Sequence, residues 1–242
     1  MSKITSKTVG VLGGLGPAAT LDFYAKVIAL TPAARDQDHL HLIIDSNPAV
    51  PNRNEAVAGT GPSPGPALVA MAERLERAGA DFLVMVCNAA HAYQGDIEAA
   101  VSVPFVSIIK ETCDAAVRKV PGLKKVGVLG SSGCLDAGLY QTAFAERGVR
   151  AIVPEGADRE IFMTLLYRIK AGDKGADVQD TMRALAESLI GEGAQAIVAG
   201  CTEVPLVLSR DSLPCPLINS TDVLAERTVY YALNGLPTPI TP

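Results

Sequence analysis

Two cysteines occupy the same local context at distant points of the sequence. Cys87 follows the apolar run 82–86 and precedes Asn88, while Cys201 follows the apolar run 196–200 and precedes Thr202 and Glu203. Apolar runs of this length, rich in branched residues, predict buried strands. Because ligands of parallel α/β sheets bind beyond the carboxyl ends of the strands, both thiols are candidates for chemistry.

A pair of thiols on opposite sides of a substrate suits racemisation at a carbon atom. One base cannot reach both faces of a fixed Cα, so one group must remove the proton and another must return one. A thiol has a pKa near 8.5, which the N-terminus of a helix lowers. The sequence predicts a helix after each cysteine, and helix amides also hold carboxylates. Hydrogen-bond donors directed at the carboxylate must also stabilise the negative charge that develops there when the Cα proton leaves.

Three other interpretations use some of the same residues. Zinc could bind Cys87, Cys201 and a histidine, but the sequence has no C-x-x-C and only three histidines. Cys87 with His91 could form a nucleophilic pair for acyl transfer, which would leave the Cys201 repeat unexplained. The turn 14–19 matches a loose Gly-x-Gly-x-x-Ala dinucleotide fingerprint, weakened by its internal proline and by the lack of an acid about 20 residues on. Cys113, Cys134 and Cys215 are interpreted as structural.

The chain repeats its own pattern. Segment 125–133 echoes segment 8–16, with Gly127 corresponding to Gly10, an offset of 117 residues. Cys201 and Cys87 are separated by almost the same offset, 114 residues. Strands and helices alternate throughout, which favours parallel sheets. We therefore predict an α/β fold of two pseudo-symmetric domains, each with a mostly parallel sheet flanked by helices. The predicted domains are residues 1–104 with 216–242, carrying Cys87, and residues 105–215, carrying Cys201.

Composition limits the classes of partner. The 242 residues are 48% hydrophobic, which excludes a disordered chain, and the net charge of −5 has no block of like charges. We therefore expect neither nucleic acid nor a membrane as a partner. No apolar run approaches the roughly 20 residues of a membrane span, and the N-terminus has no cleavable signal pattern. A cytoplasmic location and free thiols are the expectation.

Three motifs resemble one known family. VLGGLGPAAT at 11–20, CNAAH at 87–91 and GCTE at 200–203 are similar to the cofactor-independent aspartate racemases of the aspartate/glutamate racemase superfamily. The resemblance runs nearly end to end and includes the segments 31–39, 46–48 and 170–172. It implies two pseudo-symmetric α/β domains with the active site in the cleft between them. It also implies that no cofactor is used, and because family members are often dimers it allows a homodimer.

The resemblance assigns roles to particular residues. Cys87 and Cys201 correspond to the catalytic cysteines, and Arg53 and Lys170 to family cations that would suit a substrate with two carboxylates. The remaining substrate-binding positions are Asn47, Asn88, Ala89 and Thr202. Glu203 is expected to orient Cys201, and His91 is either a core histidine or a support for the cysteines. No metal site is expected.

Ala89 departs from the family pattern, which usually has threonine at this position. A hydroxyl that could donate to the substrate carboxylate is therefore missing, a loss that typically costs about 1–3 kcal/mol. The predicted activity is racemisation of aspartate or glutamate by a thiol/thiolate pair. Two alternatives remain: a related isomerase or decarboxylase of another dicarboxylate, and a non-catalytic amino-acid-binding protein.

Overall fold

Two four-stranded parallel sheets form the framework of the protein, which is described by a computed structural model over residues 6–236. The first sheet has the order β2-β1-β3-β4 and the second the order β6-β5-β7-β8. This identical order confirms the predicted α/β class and internal repeat. The strands are β1 (Val9–Gly13), β2 (Leu42–Ser46), β3 (Phe82–Met85), β4 (Phe105–Val106), β5 (Lys125–Leu129), β6 (Arg150–Ile152), β7 (Ile197–Ala199) and β8 (Leu217–Asn219).

Helices connect the strands and flank both sheets. The α-helices are α1 (Pro17–Leu30), α2 (Arg53–Val57), α3 (Gly65–Arg77), α4 (Gln94–Ala100), α5 (Ile108–Lys119), α6 (Ser132–Asp136), α7 (Leu139–Ala145), α8 (Gly156–Lys170), α9 (Ala176–Gly191) and α10 (Ser220–Asn234). Short 3-10 helices cover Asp36–Asp38, Ala89–Tyr93, Val204–Leu206 and Arg210–Ser212. Within the described residues, no helix is both long enough and apolar enough to cross a membrane.

Two strands belong to a different sheet from the one that the predicted domain limits imply. β4 pairs with β3 in the first sheet, and β8 pairs with β7 in the second. Each of these strands extends its sheet from the strand that leads to a cysteine, so the four strands of each sheet follow one another in the sequence. Within segment 216–242, β8 therefore lies in the second sheet, whereas the closing helix α10 packs on α1 of the first half as expected. Residues 237–242 lie outside the described part of the chain.

One hydrophobic core holds the two halves together. The larger cluster of buried side chains includes Val84 of the first sheet and Val198 and Ile218 of the second. Asn54 of α2 reinforces this contact, because its Oδ1 accepts a hydrogen bond from the Gly133 backbone N–H in α6 at 2.9 Å. The walls of the cleft between the sheets are therefore fixed by packing on both sides.

Gly127 provides a measurable test of how closely the repeat is packed. A Cβ at this position would lie 2.6 Å from Ile197 Cδ1 and 3.0 Å from Leu189 Cβ. The equivalent Gly10 is equally crowded, with Leu83 Cδ2 at 2.6 Å from a Cβ placed there.

Overpacking a core typically costs about 1–3 kcal/mol, so Gly127→Ala should lower the free energy of unfolding by that amount in urea denaturation. Gly191→Ala, where a Cβ meets nothing within 4 Å, is the control. Equal stabilities for the two variants would contradict the prediction.

Candidate active site

The two cysteines meet at one cleft. Cys87 lies two residues beyond β3 and Cys201 two residues beyond β7, and these strands hold the same position in their respective sheets. Both side chains are buried, and both line a cavity of about 260 Å³. The structure therefore brings together the two residues predicted to carry the chemistry. The three remaining cysteines do not line this cavity, and burial raises the pKa of Cys113 to about 12.

Neither cysteine stands at the N-terminus of a long α-helix, which corrects the prediction from sequence. Cys87 is followed by the 3-10 helix Ala89–Tyr93, and Cys201 by a turn and the 3-10 helix Val204–Leu206. Pro205 has no N–H to continue a hydrogen-bonded helix. The positive groups near the thiols are side chains instead: Arg53 and Lys170 line the same cavity.

Lys170, Glu203 and Cys201 form a connected chain of polar groups. The ammonium group of Lys170, the last residue of α8, is ion-paired with Glu203 Oε1. The other carboxylate oxygen, Oε2, accepts from Cys201 Sγ at 3.0 Å and from Thr202 Oγ1 at 3.1 Å. The hydrogen bond between Cys201 and Glu203 supports the expectation that Glu203 orients Cys201.

The charges of this chain follow from burial and pairing. Burial raises the pKa of the Cys201 thiol well above its usual value, and the Glu203 carboxylate raises it further. Burial alone would raise the pKa of Glu203, but Lys170 and the hydrogen bonds hold it below its usual value. For Lys170, burial lowers the pKa, yet Glu203 and the cysteines shift it upward overall. Cys201 is thus a neutral thiol beside a charged Lys170–Glu203 pair.

Arg53 is held by backbone carbonyl groups and not by an acid. Its Nη1 donates to the carbonyl oxygens of Val50 and Pro51 at 3.0 and 2.9 Å, and its Nη2 donates to that of Leu15 at 2.9 Å. A guanidinium has five N–H groups, so Nε and one N–H of Nη2 have no partner among the described residues. This side chain is a preorganised cation that faces the cavity.

Asn88 connects the two halves behind the cavity. Its Oδ1 accepts from the Tyr140 hydroxyl at 2.7 Å, and its Nδ2 donates to Ser220 Oγ at 3.2 Å. The Ser220 hydroxyl in turn donates to the Ala199 carbonyl of β7 at 2.7 Å. Asn88, predicted to bind substrate, lines the cavity, and its side chain does not cap the 3-10 helix that follows. It instead fixes the loop that carries Cys87 against the strand that leads to Cys201.

The other predicted substrate-binding positions divide into two groups. Ala89 and Thr202 line the cavity, and both are buried. Asn47 does not line the cavity: its Oδ1 accepts a hydrogen bond from the Ala49 backbone N–H at 3.1 Å and so shapes the loop after β2.

Sequence reasoning missed the apolar residues of the cleft wall and Tyr167, which also lines the cavity. Leu166 and Tyr167 lie four and three residues before Lys170, a helical spacing that would have identified them.

His91 is a buried, neutral support for the Cys87 loop. The Ile108 backbone N–H donates to Nε2 at 3.2 Å, so Nδ1 carries the proton and donates to the Cys87 carbonyl oxygen at 2.8 Å. Burial lowers the pKa of His91 to about 4. Because both ring nitrogens are engaged by the backbone, His91 does not act as the base of a Cys–His nucleophilic pair.

The low pKa of His91 predicts a pH dependence of stability. An unfolded histidine titrates near 6.5, so the unfolded chain binds the extra proton first as the pH falls. The contribution of neutral His91 to the free energy of unfolding is complete above about pH 6.5. It is lost as the pH falls towards about 4, a change of about 3 kcal/mol. Urea denaturation at several pH values should show this loss for the wild type and not for His91→Gln. The exposed His41→Gln should behave as the wild type. A His91→Gln variant with the full wild-type loss would refute the assignment.

The glycine turn after β1 serves the cleft and not a dinucleotide. Gly14 has a φ of 78°, and a Cβ there would lie 2.3 Å from the Asn47 backbone nitrogen. A Cβ on Gly16 would lie 2.9 Å from Glu203 Oε1 and 3.7 Å from Lys170 Nζ, so the Lys170–Glu203 pair occupies the space that a phosphate would need beside this turn. Among residues 6–236, no group of histidine, cysteine, aspartate and glutamate side chains is arranged to hold a metal ion.

Comparison with known proteins decides the family. The family model described as Asp/Glu/Hydantoin racemase matches residues 12–228, which include both cysteines and all of the three motifs except residue 11. The chain belongs to the Asp/Glu/Hydantoin racemase family. This confirms the resemblance noted from the sequence, and at family level it confirms the prediction of an isomerase of the amino-acid racemase type.

Individual relatives in this family agree along almost the whole chain. A broad specificity amino-acid racemase from Bacillus subtilis is 30% identical over 226 residues, covering 91% of this chain and 96% of the relative. The structure of Picrophilus torridus aspartate racemase superposes with a TM-score of 0.79 at 28% identity, covering 93% of this chain and 94% of that one. An aspartate racemase homologue from Pyrococcus horikoshii gives a TM-score of 0.74 at 25% identity, covering 93% and 99%. These matches confirm the two-domain α/β racemase fold.

Proposed function

We propose that this protein racemises an α-amino acid by two-base proton transfer between Cys87 and Cys201, without a cofactor. The observation that carries the proposal is the position of the two thiols at equivalent strand ends of a duplicated fold, on one cavity. Inversion requires two acid–base groups on opposite faces of Cα. The pseudo-symmetry of the two halves meets this requirement, because each half contributes one of the two cysteines.

Arg53 is the proposed anchor of the substrate carboxylate. Its Nε and Nη2 groups offer donors in the fork geometry that carboxylates accept in two parallel hydrogen bonds. When the Cα proton leaves, negative charge spreads onto this carboxylate. A cation already held by three carbonyl groups stabilises that charge without reorganisation, which favours the transition state over the bound ground state.

Proton transfer starts from unlike cysteines. Cys201 is a thiol that donates to Glu203, so it is ready to give a proton to the carbanion. For the enantiomer whose Cα–H faces Cys87, the Cys87 thiolate removes the proton and the Cys201 thiol returns one to the other face. This turnover leaves Cys87 as the thiol and Cys201 as the thiolate, which is the state that acts on the opposite enantiomer. Return to the first state without substrate requires Cys201 to regain a proton and Cys87 to release one, both by exchange with water.

The proposal is tested by incubating the protein in heavy water with single enantiomers of a panel of amino acids. The expected result is the opposite enantiomer with one deuterium at Cα, followed by NMR and chiral chromatography. A decarboxylated or rearranged product would instead indicate a related isomerase or decarboxylase. Binding of an amino acid without any Cα exchange would indicate a non-catalytic binding protein. Either result would refute racemisation.

A further inference from the structure

We infer that the cleft selects amino acids with a single carboxylate and an uncharged side chain, in place of aspartate or glutamate. This inference rests on the proposed racemisation and concerns the substrate of that same site. It is argued from the pairing of the charged groups that line the cavity: Arg53, Lys170 and Glu203.

Lys170 is a weak second carboxylate site, because an acid already neutralises its charge. Its ammonium group is paired with Glu203, whose side chain is only 7% exposed. Moving Lys170 to a substrate carboxylate would leave a buried carboxylate uncompensated, and such a charge is strongly destabilising. The Gly16 position packs against this same pair, since a Cβ there would lie 2.9 Å from Glu203 Oε1 and 3.7 Å from Lys170 Nζ. Within the described cleft, Arg53 is therefore the cation without an acidic partner.

Arg53 in turn has capacity for one carboxylate. Three of its N–H groups are committed to the carbonyl oxygens of Leu15, Val50 and Pro51. The two that remain match one bidentate carboxylate, and the α-carboxylate is the group that every amino acid offers. A second carboxylate on the substrate side chain would find no cation without an acidic partner among the lining residues of the described chain.

A positively charged side chain is disfavoured by the same arrangement. Glu203 is the one carboxylate among the cavity-lining residues of the described chain, and both of its oxygens are occupied. Oε1 binds Lys170, and Oε2 accepts from both Cys201 and Thr202. A substrate ammonium or guanidinium would have to displace Lys170 to gain a partner.

The rest of the cavity wall carries no ionic side chain: uncharged polar residues such as Asn52 and Ser131 line it together with apolar ones. Leu15, Val50 and Leu166 line it, and Ala89 presents a methyl group where the family usually presents a hydroxyl. A charged side chain against such a wall loses hydration without gaining a partner of opposite charge, whereas an uncharged side chain has no charge to compensate. The wall and the charge pairing therefore indicate the same substrate class.

Calorimetric binding to the wild-type protein tests the selectivity independently of catalysis. Methionine is expected to bind at least about tenfold more tightly than aspartate or lysine, since each charged side chain lacks a partner. Tighter or equal binding of aspartate or lysine, or binding of none of the three, would overturn the inference. Tight binding of methionine without Cα exchange in heavy water would instead refute the proposed racemisation while leaving the selectivity intact.

Glu203→Gln provides the sharper test because it should change the selectivity in a defined direction. The substitution removes the negative charge and leaves Lys170 free to pair with a second carboxylate. The ratio of the aspartate affinity to the methionine affinity should rise by about tenfold or more. Glu192→Gln, at an exposed position outside the cavity, should leave the ratio as in the wild type. An unchanged ratio in a folded Glu203→Gln protein would show that the pair does not control substrate charge.

Discussion

Replacing Cys87 or Cys201 with alanine is expected to lower kcat for racemisation by about 10³-fold or more. Each thiol supplies one of the two proton transfers, and a positioned acid–base group typically contributes factors of about 10²–10⁴. Water in the vacated space has neither the position nor the acidity of the lost thiol. Chiral chromatography of product formed from each enantiomer measures the loss in both directions.

A matched control separates the loss of a catalytic thiol from the loss of any thiol. Cys215 is half-buried and does not line the cavity, so Cys215→Ala should retain wild-type kcat. Cα exchange should be followed alongside racemisation, since exchange needs one base and inversion needs two. Wild-type racemisation by either the Cys87 or the Cys201 variant would contradict the two-base account.

Replacing Arg53 with methionine is expected to lower kcat/KM by about 10²-fold. The variant loses two charge-assisted hydrogen bonds to the substrate carboxylate, together worth about 3 kcal/mol. Part of the loss should appear in kcat, because the guanidinium also stabilises the charge that develops on the carboxylate during proton removal. Steady-state kinetics with the preferred amino acid separates the two parameters.

Arg35→Met is the matched control for Arg53→Met. Arg35 pairs with Asp38 at the surface, its side chain is 71% exposed, and it does not line the cavity. Its kcat/KM should equal that of the wild type. Arg53 also donates to three carbonyl groups, so the unfolding free energies of both variants must be compared with the kinetics. A folded Arg53→Met protein with kcat/KM within about threefold of the wild type would exclude Arg53 as the carboxylate anchor.

The features predicted correctly from sequence are those set by local pattern and by repetition. Buried parallel strands are continuous apolar runs, so the strands before Cys87 and Cys201 could be located directly. The sequence around Gly10 recurs around Gly127, which indicated an internal structural repeat. The shared strand order of the two sheets confirms this repeat. Because equivalent strands end at equivalent places, the pairing of the cysteines followed from the repeat.

The features that sequence could not supply depend on contacts between distant segments. Lys170 and Glu203 were assigned separate roles, because nothing local indicates that the end of α8 reaches the loop after β7. Their pairing turns a candidate recognition group and a candidate orienting group into one neutral unit. Likewise, the hydrogen bond from the Cys201 thiol to the Glu203 carboxylate forms in a turn, where an α-helix was predicted. Charge pairing of this kind is decided by tertiary packing.

The most direct test of the central claim is enantiomer-selective Cα exchange by the single cysteine variants in heavy water. Each variant keeps one base, and each base faces one side of Cα. The Cys87→Ala and Cys201→Ala proteins should therefore each incorporate deuterium into only one enantiomer, and into opposite ones, while inversion is slower than in the wild type by about 10³-fold or more. Exchange of the same enantiomer by both variants, or inversion at the wild-type rate by either, would contradict the assignment of the two thiols to opposite faces of the substrate.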